Sequence, residues 1–190
     1  DIVVDVGRIY DPIKRRFDHH QPAGAGKRPN DIPYASFGLV WKEFGEEVAG
    51  GKDEAKIIED KLVIPIDALD NGVPISTEIF SGISNYSLGD FFESFTVNAE
   101  TLEDYDKFFI EVLNIASGLL EREIKLSREL VKDWREVEII YKQSENKKLI
   151  VLPRNMHWKR ALIPTEAIFV ISERADNTWS VRGVPPAVSS

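Results

Sequence analysis

The sequence predicts an α/β protein with a partial parallel-sheet domain over residues 1–100. A long helical connector follows over 101–145, and the start of a smaller C-terminal α+β domain over 146–190. Three observations carry this. Ile2-Val3-Val4-Asp5-Val6-Gly7 is a short, β-branched apolar run ending in Asp and Gly, the pattern of a buried parallel strand. From Thr101, apolar residues recur at helical spacing as far as Tyr141. Leu149–Leu152, Ala167–Ser172 and Trp179–Val184 then read as strands, with Asp176-Asn177 as a hairpin turn between the last two.

The remaining elements follow in order. Tyr10-Asp11-Pro12 marks a turn, and the Gly-, Pro- and Lys/Arg-rich stretch from Pro22 to Pro33 reads as a mobile loop. Ser36 is placed to cap a helix bearing Phe37, Val40, Trp41 and Phe44, which Gly50-Gly51 ends. Asp53 is placed to cap a second helix through Ile57, Ile58 and Leu62, perturbed by Pro65 and stopped by Asp70-Asn71-Gly72. In the long helix Phe108, Phe109, Val112, Ile115, Ala116, Leu119, Leu120 and Ile124 form a stripe expected to be core. Gly118 or Ser127 marks a place for a bend. Both ends of the sequence read as cut, so the chain is expected to be a piece of a longer protein.

Composition narrows the chemistry. The chain has no cysteine, so disulfides and thiolate ligands are excluded, and any metal is held by His, Asp or Glu. A net charge of −8 argues against broad electrostatic binding of duplex nucleic acid, but leaves short substrates held through metal ions open. No apolar run has the length of a membrane span, and no leader pattern is present. The expected location is cytoplasmic, with an organelle or the nucleus left open.

The chemistry-bearing residues cluster early. Of three histidines, two are adjacent in Asp18-His19-His20, which follows the strand-end Asp5. An aspartate at the end of a strand lies where open α/β sheets collect ligands. Mixed carboxylate and imidazole sets suit hard or borderline divalent ions, which neutralise phosphoryl oxygens and acidify a water. Each part has an ordinary reading too: a solvated turn for Asp18-His19-His20, a cap or turn for Asp5, Asp67 and Asp70. Together they are more specific.

These residues resemble a known family. Val3-Val4-Asp5-Val6-Gly7, Tyr10-Asp11-Pro12 and Arg16-Phe17-Asp18-His19-His20-Gln21 are similar to the melanocyte-proliferating-gene family of metal-dependent hydrolases, within the DHH (Asp-His-His) phosphoesterase superfamily. The likeness continues through Ser36–Val40, Ile66–Gly72, Trp158-Lys159, Ile168–Ile171 and Trp179–Pro185, covering most of the chain. The resemblance implies a DHH-type domain followed by a smaller substrate-contacting domain. It implies Asp5 as a shared ligand of two ions, Mn²⁺ or Mg²⁺, and His19 as a further ligand. Asp67 or Asp70 would complete the set, with Asp70 preferred. It also implies His20 touching phosphate or aiding catalysis, with Asp18 orienting it.

The activity implied is phosphodiester cleavage, including 3′-to-5′ exonuclease action on RNA or short oligonucleotides. No membrane partner is expected, and homo-oligomerisation is left open. Two departures stand out: the family's first metal motif, expected before Asp5, and its glycine-rich motif, expected beyond Ser190, are absent. The isolated chain is therefore expected to be inactive or weakly metal-binding. The alternative is a non-catalytic binding or regulatory module with a degenerate site. A peptidase is disfavoured, because there is no His-Glu-x-x-His and no Ser/His/Asp order.

Two smaller signals have plain readings. Gly24-Ala25-Gly26-Lys27-Arg28 lacks the spacing of a phosphate loop and reads as a flexible loop or active-site flap. His157-Trp158-Lys159-Arg160 reads as a surface turn with Trp158 in the core before it reads as a nucleic-acid contact.

Overall fold

A computed structural model describes residues 1–186; the end of the expected 146–190 segment lies outside the described residues. The chain divides into two compact units, Asp1–Lys125 and Leu126 onward. The architecture mixes helices with two small three-stranded sheets, which is compatible with the α/β expectation. Among the described residues, no helix is long and apolar enough to cross a membrane.

The first sheet is smaller and more open than the sequence suggests. It consists of β1 (Val3–Val4), β2 (Tyr10–Asp11) and β3 (Arg16–Phe17), in the order β1-β3-β2. The expected buried strand is thus two residues long, and Ile2, Val4 and Val6 are exposed. The reason is position: β1 has a neighbour on one side only. It runs parallel to β3, while β2 and β3 form an antiparallel hairpin. The backbone N–H groups of Val3 and Asp5 donate to Arg15 and Phe17, so β1 and β3 end side by side.

Helix α1 (Ser36–Ala49) carries Phe37, Leu39, Trp41 and Phe44, and ends at Gly50, whose φ of 92° needs a residue without a side chain. Phe17 is fully buried and meets Phe44 edge-on, with centroids 5.7 Å apart. This contact sets β3 against α1. Helix α2 (Lys52–Ile58) starts after Gly51 rather than at an Asp53 cap; Asp53 instead sits in its first turn.

The helix then widens into a π-turn over Glu59–Val63 before α3 (Ile64–Asp70). Pro65 explains the widening. It lacks an N–H, and its ring would crowd the carbonyl four residues back in a regular helix. Trp41, Ile58 and Val63 form the core of this unit, joined by Leu62, Leu120 and Ile124. After a short α4 (Leu88–Glu93), α5 runs unbroken from Leu102 to Gln143, without ending at Gly118 or Ser127. The core expectation for its stripe holds for Leu120 and Ile124, whereas Phe109 and Ile115 are exposed.

The second unit follows the sequence closely. Strands β4 (Leu149–Leu152), β5 (Phe169–Glu173) and β6 (Trp179–Gly183) form one sheet, β4 parallel and β6 antiparallel to β5. Asn177, at φ 60°, makes the hairpin turn. Ile150, Leu152 and Val170 face a core completed by Val137, Met156, Trp158 and Leu162, the last from the single turn α6 (Lys159–Leu162).

Candidate metal centre

The pairing of β1 with β3 brings two distant stretches of sequence to one edge. Because Val4 stands opposite Phe17, Asp5 leaves its strand beside Asp18. Asp5 sits in the left-handed region at φ 61°, which Asp tolerates better than most residues, and its carboxylate reaches the start of α1. One ligand atom from each of Asp5, Asp18, His19 and His20 lies within 4.8 Å of the others. From α3, the Asp70 carboxylate Oδ2 stands 3.3 Å from His19 Nε2. The two imidazoles stack, with centroids 4.3 Å apart.

The roles within this cluster differ. Asp18 is buried, and its carboxylate accepts from the backbone N–H of Arg8 at 2.7 Å and of His20 at 2.9 Å, and from His20 Nδ1 at 2.8 Å. These bonds, that from the His20 N–H foremost, hold Asp18 down to about 2 against the opposing effect of burial. Asp18 therefore stays ionised and is largely spent on orienting His20. The pKa of His20 is raised by the hydrogen bond to Asp18, and further by the charges of Asp18, Asp5 and Asp70. Because Nδ1 faces Asp18, Nε2 is the nitrogen left for other partners.

A pH titration should show this. In the metal-free protein the His20 ring resonances are expected to titrate above the ordinary 6.5, and Asp18→Asn should bring the midpoint down. The stabilisation this raised pKa gives the fold is complete below 6.5 and fades as pH rises through the folded value. A wild-type midpoint at or below 6.5 contradicts the assignment.

The two aspartates of α3 have separate environments. The Asp70 side chain is 51% exposed and faces His19. Asp67 is fully buried: Gly38 N–H donates to its Oδ1 at 2.9 Å, and Arg28 Nη2 lies 2.8 Å from Oδ2, off the hydrogen-bond axis. Burial raises the pKa of Asp67, while Arg28 and the Gly38 N–H oppose that rise. Arg28 also donates from Nε to Glu59 at 3.0 Å, and its guanidinium covers the Tyr34 ring. The packing here leaves no spare room. A Cβ on Gly38 would run into the Asp67 carboxylate and come within 2.6 Å of Arg28 Nη2.

The stretch Pro22–Pro33 is thus pinned at Arg28 rather than free. Neither that anchor nor Gly38 was legible in sequence, since a Gly-rich basic loop looks the same whether or not its arginine is buried. Ser36, expected as a cap, is instead the first residue of α1. Ala35 stands before it without a side-chain bond, and Ser36 spends its hydroxyl on Asp5. Of the smaller signals, Trp158 is in the core, and His157 is fixed by two bonds to Asp133, at 2.9 Å from both its N–H and Nδ1.

The donor set fits a divalent ion of hard or borderline character: carboxylates and imidazoles, converging from three segments, with no cysteine. By its fold and this cluster, the protein is a mixed α/β chain with a carboxylate–histidine cluster of a kind that could hold a cation. The family model MYG1_exonuc, described as “Uncharacterised protein family (UPF0160)”, matches residues 1–190, and the chain belongs to that family. It is similar to the “MYG1 protein C27H6.8” of Caenorhabditis elegans, 26% identical over 97% of this chain and 64% of the relative. It is also similar to the “MYG1 exonuclease” of Homo sapiens, 36% identical over 38% of this chain and 24% of the relative, and to the “MYG1 protein” of Dictyostelium discoideum, 30% identical over 38% and 25%. The chain thus spans under two thirds of the length of these relatives. No solved structure matches it.

Proposed function

We propose that this chain carries the metal-binding core of a divalent-metal-dependent phosphodiesterase, acting as a 3′-to-5′ exonuclease on RNA or short oligonucleotides. The observation that carries the reading is the convergence of Asp5, Asp18, His19 and His20 within 4.8 Å, with Asp70 against His19. The name exonuclease borne by several relatives supports the same direction. Asp5, His19 and Asp70 would hold two Mn²⁺ or Mg²⁺ ions. When bound, such ions supply positive charge for phosphoryl oxygens and make a water acidic enough to attack.

The chain's own groups supply the rest. Asp18 fixes the His20 ring through Nδ1, so Nε2 is presented to a phosphate oxygen or to the leaving oxygen. A proton on Nε2 would be placed for donation to the group that departs. Asp67 takes no part in this chemistry and holds the fold beneath it.

The test is hydrolysis of a short RNA by the full polypeptide with Mn²⁺. Asp5→Ala and His19→Ala should each lose more than about a hundredfold in rate, since even groups that only orient metal ligands cost 10–100-fold. Circular dichroism should show the fold kept. Wild-type rates in either variant remove the reading.

A further inference from the structure

Ser36 touches two of the residues assigned to the cation, and it does so with two different groups. Its hydroxyl donates to Asp5 Oδ1 at 2.8 Å. Its backbone N–H and its Oγ both lie 3.1 Å from His19 Nδ1. The residue is buried, so water does not compete freely for these bonds. A hydroxyl whose proton is given to Asp5 offers only lone pairs to His19. The N–H offers only a proton. One side chain and its own backbone therefore provide both an acceptor and a donor to the same imidazole nitrogen.

We infer that Ser36 is a positioning residue that lets His19 exchange tautomers in place and so presents Nε2 to a divalent cation. This rests on the reading of the cluster as a cation site. Without a cation, Nδ1 accepts from the Ser36 N–H, which in a neutral imidazole leaves the proton on Nε2, 3.3 Å from Asp70 Oδ2. When Nε2 turns its lone pair to a cation, it releases that proton to solvent. Nδ1 takes one up and donates it to Ser36 Oγ. No net proton is gained, and the Ser36 N–H gives up Nδ1 as its acceptor in the exchange. The same hydroxyl holds Asp5 Oδ1, leaving Oδ2 as the oxygen directed elsewhere. Imidazoles that bind metal depend on a partner for the other ring nitrogen, and losing that partner weakens binding 10–100-fold.

Ser36→Ala keeps the N–H and removes the acceptor, so it separates the two functions. Calorimetric titration of the full polypeptide with Mn²⁺ is expected to show affinity about tenfold weaker in Ser36→Ala, with Ser36→Thr restored to within a few-fold. Nitrogen-15 spectra of the His19 ring should show the Nε2–H form in the metal-free chain and Nδ1–H with Zn²⁺ added. In Ser36→Ala with Zn²⁺, the Nδ1 signal should move toward that of a ring without a hydrogen-bonded partner. Equal Mn²⁺ affinity in wild type and Ser36→Ala, or an unchanged Nδ1 signal, overturns the role of Ser36 alone. A wild-type full polypeptide that takes up neither ion overturns the cation reading itself, and this role with it.

Discussion

Arg28→Met is expected to cost the fold about 3–5 kcal/mol, because it leaves the buried Asp67 carboxylate without its cation. Removing the other partner should cost less. In Asp67→Leu, Arg28 keeps its bond to Glu59 and its place over Tyr34. The loss in Arg28→Met should also shrink at lower pH. Burial already raises the Asp67 pKa, and a stranded carboxyl can take up a proton instead of remaining charged. Urea unfolding at two pH values measures all of this. The double variant Arg28→Met/Asp67→Leu should recover most of the loss, because apolar replacement of a whole buried pair is often nearly neutral. If Arg28→Met unfolds at the wild-type urea concentration, the pair does not hold this unit together.

Asp70→Asn is expected to have the opposite profile. Its side chain is half exposed and faces His19, so melting should move little. Mn²⁺ affinity should fall about a hundredfold, at or beyond the upper end of what indirect partners of metal ligands contribute. Asp67→Asn should leave Mn²⁺ affinity near wild type and lower the melting temperature instead. The two aspartates stand three residues apart on α3, so this contrast separates a cation ligand from a structural anion. Equal loss of Mn²⁺ affinity in both variants would remove that distinction.

Much of this arrangement was legible in the sequence, for identifiable reasons. Asp5 and Asp18-His19-His20 stood out because a strand-end carboxylate and two adjacent imidazoles after an aspartate suit a divalent ion. Helices α1 to α3 and α5 and the second unit's strands followed from periodicity and turn residues, down to the break at Asp70-Asn71-Gly72 and the turn at Asn177, whereas α4 and α6 did not. The choice between Asp67 and Asp70 was not decidable, because it depends on which face of α3 meets α1. The first sheet was overestimated, since an apolar run reads as a buried strand whether or not neighbours exist to bury it.

Arg28 and Ser36 were misjudged for a shared reason. Local rules assign a basic Gly-rich segment to a loop and a serine before an apolar helix to a cap. Both residues are instead claimed by groups far away in sequence: Asp67 for Arg28, and Asp5 with His19 for Ser36. Local propensity carries no information about such partners. The early stripe of α5 shows the converse, a pattern that predicts burial at Phe109 and Ile115 where the described residues leave them exposed.

The arrangement stands or falls on whether the five acidic and imidazole side chains gathered at the ends of β1, β3 and α3 take up a cation. Anomalous diffraction from crystals of the full polypeptide soaked in Mn²⁺ tests this most directly. A manganese peak within bonding distance of His19 and of the Asp5 and Asp70 carboxylates is the expected result. Manganese bound only elsewhere, or none beside His19 while Asp5 and Asp70 stay in place, would contradict it.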